Sequence, residues 1–252
     1  GTVSNCLIVG NNANKGGGGA SGSILRNCII VSNSAGGDYE YYPDYGYIRP
    51  YDGGGGAYQS TLYNCLVNGN SAGIGGGSVQ SDLYNCTLVS NRAYGVGSYS
   101  ESLYGGGIYG GGAINCIVYN NSPDNCGHLT FSPELNPLGI TYSCSTPLAT
   151  GDGNISAAPS FVDFDAQNFR LLSNSPCINA GTNDLGWMAG ALDLDGSNRI
   201  RRLCVDMGAY EHQYPPEPLL VVLTTNRLTI TNNAPPSLAA GTDFGRGVIG
   251  FS

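Results

Sequence analysis

The chain has 252 residues, and its composition excludes several classes of protein. Its 40 glycines follow no Gly-X-Y period, which excludes collagen, and its 41% hydrophobic residues are enough to bury a core. The 10 basic and 18 acidic residues give a net charge of -8, so we expect no nucleic-acid partner, because such a surface repels phosphate. No apolar stretch reaches about 18 residues, so we expect no transmembrane segment. Small polar residues and a single lysine indicate an extracellular or cell-surface protein.

The first half of the chain contains a repeat built on the dipeptide Asn-Cys. The dipeptide occurs five times, and a second asparagine follows six residues after each first one. A glycine run ends eight residues before the dipeptide in four of the five repeats. The asparagine pairs are Asn5 with Asn11, Asn27 with Asn33, Asn64 with Asn70, Asn85 with Asn91, and Asn115 with Asn121.

This repeat predicts an all-β fold, a parallel β-helix or solenoid with looped-out insertions and an extended C-terminal β tail. The basal unit of about 21 residues is too short for a pair of helices, and its apolar positions alternate as they do in strands. One coil cannot bury its apolar face alone, so coils must stack at the strand spacing of about 4.8 Å. All variation in length lies between the second asparagine and the glycine run, where insertions leave the scaffold.

Stacking assigns roles to the repeated residues. An asparagine at the same corner of every coil can bond to those above and below, and the glycines can supply corners with positive φ. The aligned cysteines would pack inward, since free cysteine is among the most buried residue types. We predict a structural asparagine ladder of Asn5, Asn27, Asn64, Asn85 and Asn115. The cysteine column is Cys6, Cys28, Cys65, Cys86 and Cys116.

The sequence predicts three parts in the chain. Residues 1–122 form regular coils, 123–213 form irregular C-terminal coils of the same solenoid, and 214–252 form a Pro-rich linker with an extended strand tail. In the middle part Tyr142-Ser143-Cys144 is a degenerate Asn-Cys unit, and residues 161–163, 169–172 and 205–211 are expected to be further strands. Candidate disulfides, whose pairing the spacing does not determine, are Cys126 with Cys144 and Cys177 with Cys204.

The middle part also carries a family resemblance. The strings Asn-Ser-Pro-Cys-Ile-Asn-Ala-Gly at 174–181 and Asp-Leu-Asp-Gly-Ser-Asn-Arg-Ile at 193–200, with residues 205–211, resemble the C-terminal signature of bacterial surface β-helix proteins called choice-of-anchor Q. The Asn-Cys repeats resemble the same group and the polymorphic outer-membrane protein repeats. The resemblance covers about residues 1–213 and implies a secreted right-handed β-helix held at the cell surface, but it implies no reaction.

The C-terminal tail has a second resemblance. Residues 234–238 and 241–245 are similar to the opening of the immunoglobulin-like choice-of-anchor D domains, of which only the first strands would be present. Neither end of the predicted solenoid contains an obvious cap, and sheet edges of this kind can accept another strand. We expect the tail to pair with the sheet edge of a neighbouring chain through Leu219, Leu220, Val221, Val222, Leu223, Leu228 and Ile230.

A tyrosine-rich insertion at 37–52 is the strongest candidate for a binding surface. Tyrosine offers rigid amphipathic contact area, which suits a protein or a polysaccharide, although the insertion could equally be a lid on its own coil. A second insertion at 94–104 would occupy the same corner two coils later. The tyrosines concerned are Tyr39, Tyr41, Tyr42, Tyr45, Tyr47 and Tyr51.

Catalytic and metal sites have little support in the sequence. Carbohydrate lyases and hydrolases with a β-helix fold place clustered carboxylates with Lys, Arg or His on one strand face, whereas residues 53–81 contain no charged residue. The chain has two histidines, His128 and His212. We therefore predict no enzyme activity and no cofactor. Asp193 and Asp195 around Gly196 are weak calcium candidates, and an Asp-Gly turn is the better interpretation.

The sequence thus favours a non-enzymatic extracellular structural protein. Its coil would be a surface stalk, an adhesin module or a filament subunit that associates end to end or with another surface protein. The alternative is a β-helix that binds or cleaves polysaccharides through the tyrosine-rich insertion.

Overall fold

The structure is a computed structural model of the whole chain, and it describes residues 1–36, 53–94, 105–127, 139–201 and 204–214. Beyond these it describes the backbone of four short strands, at 39–42, 47–50, 222–223 and 229–230. The chain divides into two compact units, Gly1–His212 and Gln213–Ser252. All of the regular secondary structure in the described residues is β-strand. In those same residues no helix has the length and apolarity needed to cross a membrane.

Three parallel sheets make up the coil in the described part of the first unit. Sheet one has nine strands: β1 Thr2–Ser4, β4 Ala20–Ser21, β5 Ile24–Arg26, β10 Ala57–Tyr58, β11 Thr61–Tyr63, β14 Ser78–Tyr84, β17 Gly105–Ile114, β19 Asp124–Gly127 and β20 Gly139–Thr141. Sheet two has six: β2 Leu7–Val9, β6 Ile29–Val31, β12 Leu66–Asn68, β15 Thr87–Val89, β18 Ile117–Tyr119 and β21 Cys144–Ser145. Sheet three has four: β3 Asn12–Ala13, β7 Ser34–Ala35, β13 Ser71–Ala72 and β16 Arg92–Ala93.

Three two-stranded antiparallel sheets lie outside these stacks. They are β8 Tyr39–Tyr42 with β9 Tyr47–Pro50, β22 Phe161–Asp163 with β23 Asn168–Leu171, and β24 Val222–Leu223 with β25 Thr229–Ile230. The expected all-β, β-helix-like stacking of parallel strands is therefore present in the described residues.

The coils stack in strict register, so equivalent residues of successive repeats lie directly above one another. Leu25 pairs with Leu62, which pairs with Leu83, and in sheet two Ile30 pairs with Val67. These side chains are fully buried and form one core cluster. Four repeat cysteines lie in the same cluster, as the repeat predicts, whereas Cys6 of the first coil is exposed. The buried four are Cys28, Cys65, Cys86 and Cys116.

The first asparagine of each pair forms a corner in left-handed backbone conformation. Asn64 has φ of 51° and Asn85 has φ of 50°, and asparagine tolerates this region better than most residues with a Cβ atom. Tyr142, with φ of 48°, takes the same corner in the last coil. The Ser143 hydroxyl then accepts a hydrogen bond from the Cys116 amide at 2.9 Å. The degenerate unit thus places serine, and not Cys144, where the cysteine column ends.

The hydrogen-bond ladder runs through the second asparagine of each pair. Asn33 Nδ2 donates to Asn70 Oδ1 at 2.9 Å, and Asn70 Nδ2 donates to Asn91 Oδ1 at 3.0 Å. Each Oδ1 also accepts the backbone N–H of the preceding ladder asparagine, as Asn70 Oδ1 does from Asn33 at 2.9 Å. The complete ladder is Asn11, Asn33, Asn70, Asn91, Asn121 and Asn125.

The structure thus differs from the ladder expected at Asn5, Asn27, Asn64, Asn85 and Asn115. Between Asn64 Nδ2 and Asn27 Oδ1 the distance is 3.4 Å, longer than each bond of the second ladder. The first asparagines are needed for their backbone conformation, and several side chains bond to the C-terminal segment instead.

Glycines are required where neighbouring coils approach most closely. A Cβ atom on Gly76 would overlap the carbonyl oxygen of Arg92, and one on Gly55 would overlap that of Ser71. Neither glycine is among those with positive φ. These glycines therefore serve backbone contact between coil segments, whereas Gly54 and Gly75 have the positive φ that the sequence predicts for the run.

The last coil is covered, although no cap is evident in the sequence. Asn154 Oδ1 accepts from the Ser143 amide at 2.9 Å, and Asn154 Nδ2 donates to the Ile140 carbonyl at 2.8 Å. The Tyr142 amide donates to the Asp152 carbonyl at 2.8 Å. Ala149 packs against the interior core. Residues 149–155 thus satisfy backbone groups that a further coil would otherwise pair, and the expectation of an uncapped end is wrong here.

The chain beyond residue 158 does not continue the coil as further rungs, contrary to expectation. Strands β22 and β23 form an antiparallel pair, and residues 205–211 contain no strand. This segment instead packs on the outward-facing side chains of sheet two, where Leu66 and Val89 share a cluster with Phe169 and Tyr210. Burial of each such side chain contributes about 1.5–3 kcal/mol. We call residues 159–212 the cover segment.

Removal of a buried asparagine side chain from the ladder should destabilise the coil far more than removal of the asparagine side chain at the exposed end of the ladder. Asn91→Ala removes the acceptor of the Asn70 backbone and side-chain N–H groups and the donor to the Val67 carbonyl, three hydrogen bonds of 2.9–3.0 Å. We expect a loss of about 3 kcal/mol in the free energy of unfolding, measured by urea titration. Asn11→Ala, at the exposed end of the ladder, should cost less than about 1 kcal/mol. Equal losses would contradict the ladder.

Candidate functional site

The most highly organised polar site lies where the cover segment meets the first-asparagine corners. Asn27 Nδ2 donates to the Asp193 carbonyl at 2.9 Å, and Asn64 Nδ2 donates to the Leu192 carbonyl at 2.8 Å. Asn115 makes two bonds to Thr182, from Nδ2 to the carbonyl at 2.9 Å and from the Thr182 amide to Oδ1 at 2.8 Å. The left-handed corner explains these contacts, because it directs the amide away from the interior.

A buried arginine lies at the centre of this site. Arg199 is fully buried, and its Nε lies 3.2 Å from Glu211 Oε1. Its Nη2 donates to the Asp206 carbonyl at 3.0 Å and to the Gly208 carbonyl. The Asn85 amide oxygen, turned toward the guanidinium, accepts from Nη2 at 2.7 Å and from Nε at 3.2 Å. The guanidinium thus joins a corner of the coil to two stretches of the cover segment.

Two further carboxylates hold the backbone of the cover segment. Asp193 Oδ1 accepts from the Ser197 amide at 2.7 Å, and its Oδ2 accepts from the Glu211 amide at 2.8 Å. Asp206 Oδ1 accepts from the Asn179 amide at 2.7 Å. Both aspartates are buried, with exposed fractions of 0% and 1%. Their oxygens therefore serve the local fold.

The electrostatics follow from three buried carboxylates beside a single guanidinium. Burial disfavours the charged form, so it raises the pKa of Glu211 to about 8 despite the opposing charge of Arg199. Burial also raises the pKa of Asp206, against hydrogen bonds from backbone amides that favour its ionised form. The excess of acids over bases in a dry site thus makes a neutral Glu211 stable near neutral pH.

The weak calcium candidates are both engaged in protein contacts. Besides the bonds described above, Asp193 Oδ1 accepts from the Asp195 amide at 3.0 Å in a turn where Gly196 has φ of 81°. Asp195 makes a two-point ion pair with Arg170, with an Nε to Oδ2 distance of 2.6 Å. In the described residues no group of three or more His, Cys, Asp or Glu side chains is placed to hold a metal ion. These contacts fit the Asp-Gly turn interpretation.

A column of stacked aromatic rings lies on sheet one. The Tyr63 and Tyr84 rings stack with centroids 5.0 Å apart, and the Arg26 guanidinium lies 4.0 Å from the Tyr63 centroid. Trp187 of the cover segment meets the edge of Tyr63 at 4.9 Å. Tyr63 and Tyr84 belong to the coil and Trp187 belongs to the cover segment, so these ring contacts join the cover segment to the coil.

The cysteines outside the column are placed differently from either candidate pairing. All nine cysteines of the chain have free thiols in this structure. Cys144 and Cys177 are both fully buried in one core cluster, whereas Cys126 and Cys204 are partly exposed. The structure thus places Cys144, from one candidate pair, in the same core cluster as Cys177, from the other.

The tyrosine-rich insertion and the tail lie largely outside the described residues. In the insertion, the backbone pairs Tyr41 with Ile48 and Tyr42 with Tyr47, and Tyr39 lies in the same hairpin. Tyr45 and Tyr51 are outside the described residues. In the second unit, Val222 pairs with Ile230 and Leu223 with Thr229. The other predicted tail residues, Leu219, Leu220, Val221 and Leu228, are outside the described residues.

Arg199, Asp206 and Glu211 are the residues that sequence reasoning missed as a site. They belong to the strings that carry the family resemblance, but nothing in their spacing indicates that they meet. No protein-family model matches the chain, and a comparison with curated proteins finds no relative. The resemblance stated from the sequence therefore remains a prediction.

The raised pKa of Glu211 predicts that stability falls as pH rises. Between pH 4.5, the ordinary pKa of the side chain, and about 8, the unfolded chain loses a proton that the folded chain keeps. A full proton corresponds to about 1.4 kcal/mol per pH unit. In the Glu211→Gln variant, the urea midpoint of unfolding should therefore depend less on pH across this range.

The control is Asp152→Asn, which changes an exposed carboxyl on the loop over the last coil. It should leave the pH dependence of the wild-type chain intact. A Glu211→Gln slope equal to that of the wild type would show that another group titrates.

Proposed function

We propose that this chain is a non-enzymatic extracellular structural protein whose right-handed β-helix serves as a surface stalk. The observation that supports this proposal is the in-register stack of repeats, which builds length along the coil axis with a filled interior. Right-handed winding follows the strong preference of parallel crossover connections. The buried carboxylates of the cover segment hold backbone amides and Arg199, which is a structural use.

Partner binding through the outer face of sheet two is part of this proposal. Leu7 and Val9 of the first coil are 64% and 52% exposed. They pair with Ile29 and Val31, so they continue the apolar stripe that the cover segment packs on in later coils. An exposed stripe of this kind suits a contact with another copy or another surface protein. End-to-end filaments have less support, because residues 149–155 occupy the end of the last coil.

The test is the mass and shape of the full chain in solution. Light scattering should give discrete particles of 26.1 kDa or a small multiple of it, and negative-stain electron microscopy should show no fibres. If a small multiple forms, Leu7→Ser with Val9→Ser should return it to the monomer, whereas Ile24→Ser, 40% exposed on sheet one, should not. Long filaments would overturn the stalk, and loss of filaments on deletion of 216–252 would then support tail pairing.

Polysaccharide binding by the tyrosine-rich insertion is the second candidate. The observation in its favour is that β8 and β9 form a separate antiparallel hairpin outside the parallel stacks. A hairpin of this kind can present side chains to a ligand without disturbing the coil. Tyrosine rings would supply contact to the apolar faces of sugars.

This candidate predicts a binding loss that depends on the rings. Tyr41→Ala, Tyr42→Ala and Tyr47→Ala combined should reduce co-sedimentation with insoluble chitin, cellulose or peptidoglycan at least tenfold. The matched triple change to Phe keeps the rings and should retain binding. No binding of the wild-type chain would remove this candidate, and release of reducing ends from these polymers would contradict the non-enzymatic proposal.

A further inference from the structure

Two buried thiols from distant parts of the sequence meet between the last coil and the cover segment. Cys144 lies on β21, and Cys177 follows β23 in the cover segment. Both are 0% exposed and share a core cluster with Ile117, Leu171 and Met207. The Cys144 thiol donates to the Ala157 carbonyl at 3.1 Å, and the two thiols lie close enough to shift each other's pKa. The contact therefore links the coil to its cover at one point.

The repeat cysteines also interact side chain to side chain, but strand pairing sets the distance between them. Cys65 and Cys86 lie on stacked coils in parallel register, so their Cβ atoms are held about one strand spacing, about 4.8 Å, apart. A disulfide needs Cβ atoms about 3.8 Å apart. Neighbouring cysteines in the column could therefore form a disulfide only by distorting the stacked strands. Cys144 and Cys177 are not paired with each other through their backbones. The Cys144 amide donates to the Cys116 carbonyl, and the Met207 amide donates to the Cys177 carbonyl. No strand pairing fixes the separation of their side chains.

The thiols of the pair are also unequal in acidity. The hydrogen bond from Cys177 lowers the pKa of Cys144, and the same contact with burial raises the pKa of Cys177. This difference belongs to the docked fold, in which the two thiols are in contact. Since neither thiol is exposed in the folded chain, exchange must take place before the cover segment docks.

We propose that Cys144 and Cys177 are a disulfide site that closes during folding in an oxidising thiol–disulfide pool. The oxidant is a small or protein disulfide. One of the two cysteine thiolates attacks it, forming a mixed disulfide and releasing one thiol. The other cysteine thiolate then displaces the second thiol, and the two protons and two electrons of the cysteines end on the reduced oxidant. The bond fastens the cover segment to the last coil.

The test is to refold the full chain with oxidised and reduced glutathione, and in parallel with dithiothreitol alone. Free thiols are then alkylated, and intact mass and non-reducing peptide maps are recorded. We expect one disulfide, which leaves seven alkylated cysteines (nine less two), and a peptide pair that joins Cys144 to Cys177. Oxidation should also raise the urea midpoint of the chain.

Cys177→Ser should abolish the linked peptide, and the matched control Cys204→Ser, at a partly exposed cysteine, should retain it. The wild-type map tests the site even if Cys177→Ser fails to fold. Nine free thiols after oxidative refolding would overturn the proposal. So would a bond between other cysteines, such as Cys126 with Cys144 or Cys177 with Cys204.

Discussion

The side-chain amide of the second asparagine in each repeat is the contact on which the coil depends. Its oxygen accepts two N–H groups from the preceding coil, and its nitrogen reaches a carbonyl and the next amide. An amide has one acceptor oxygen and two donor hydrogens, so it can repeat this pattern without end, whereas a carboxylate could only accept. The ladder fixes register, and strict register in turn allows the glycines and cysteines to stack on their own kind.

Register along the coil creates a second requirement on the outside. The outward face of sheet two carries apolar side chains such as Leu66 and Val89, so stacking alone leaves apolar surface facing outward. Asn68 and Thr87 also face outward, and they hydrogen-bond to the cover segment. The cover segment satisfies this need with phenylalanines and with Met207, and it is fixed at the corners by the first asparagines and by Arg199. The two asparagines of each repeat thus have complementary roles: one joins coil to coil, and the other joins coil to cover.

The sequence predicts the stacked coils and the buried cysteines because both follow from the period. It could not decide which asparagine forms the ladder, since Asn64 and Asn70 recur with equal constancy. The cover segment was missed for another reason, because its strands were expected to extend the coil. The apolar triplet at 29–31 is a sequence signal for a cover over sheet two, because a strand buried on both faces has a continuous apolar run. The Arg199 cluster has no period, and only folding brings it together.

Coil and cover depend on different chemistry, and this gives them different responses to conditions. Neutral amides and backbone bonds hold the coil, and none of these groups titrates near neutral pH. The cover is held by apolar contacts and by the buried contact between Arg199 and Glu211, an acid whose pKa is raised to about 8. Because a buried guanidinium and an acid with a raised pKa lie in the cover, the cover should open at lower free energy than the coil. A covalent bond to the last coil would stabilise this weaker element most.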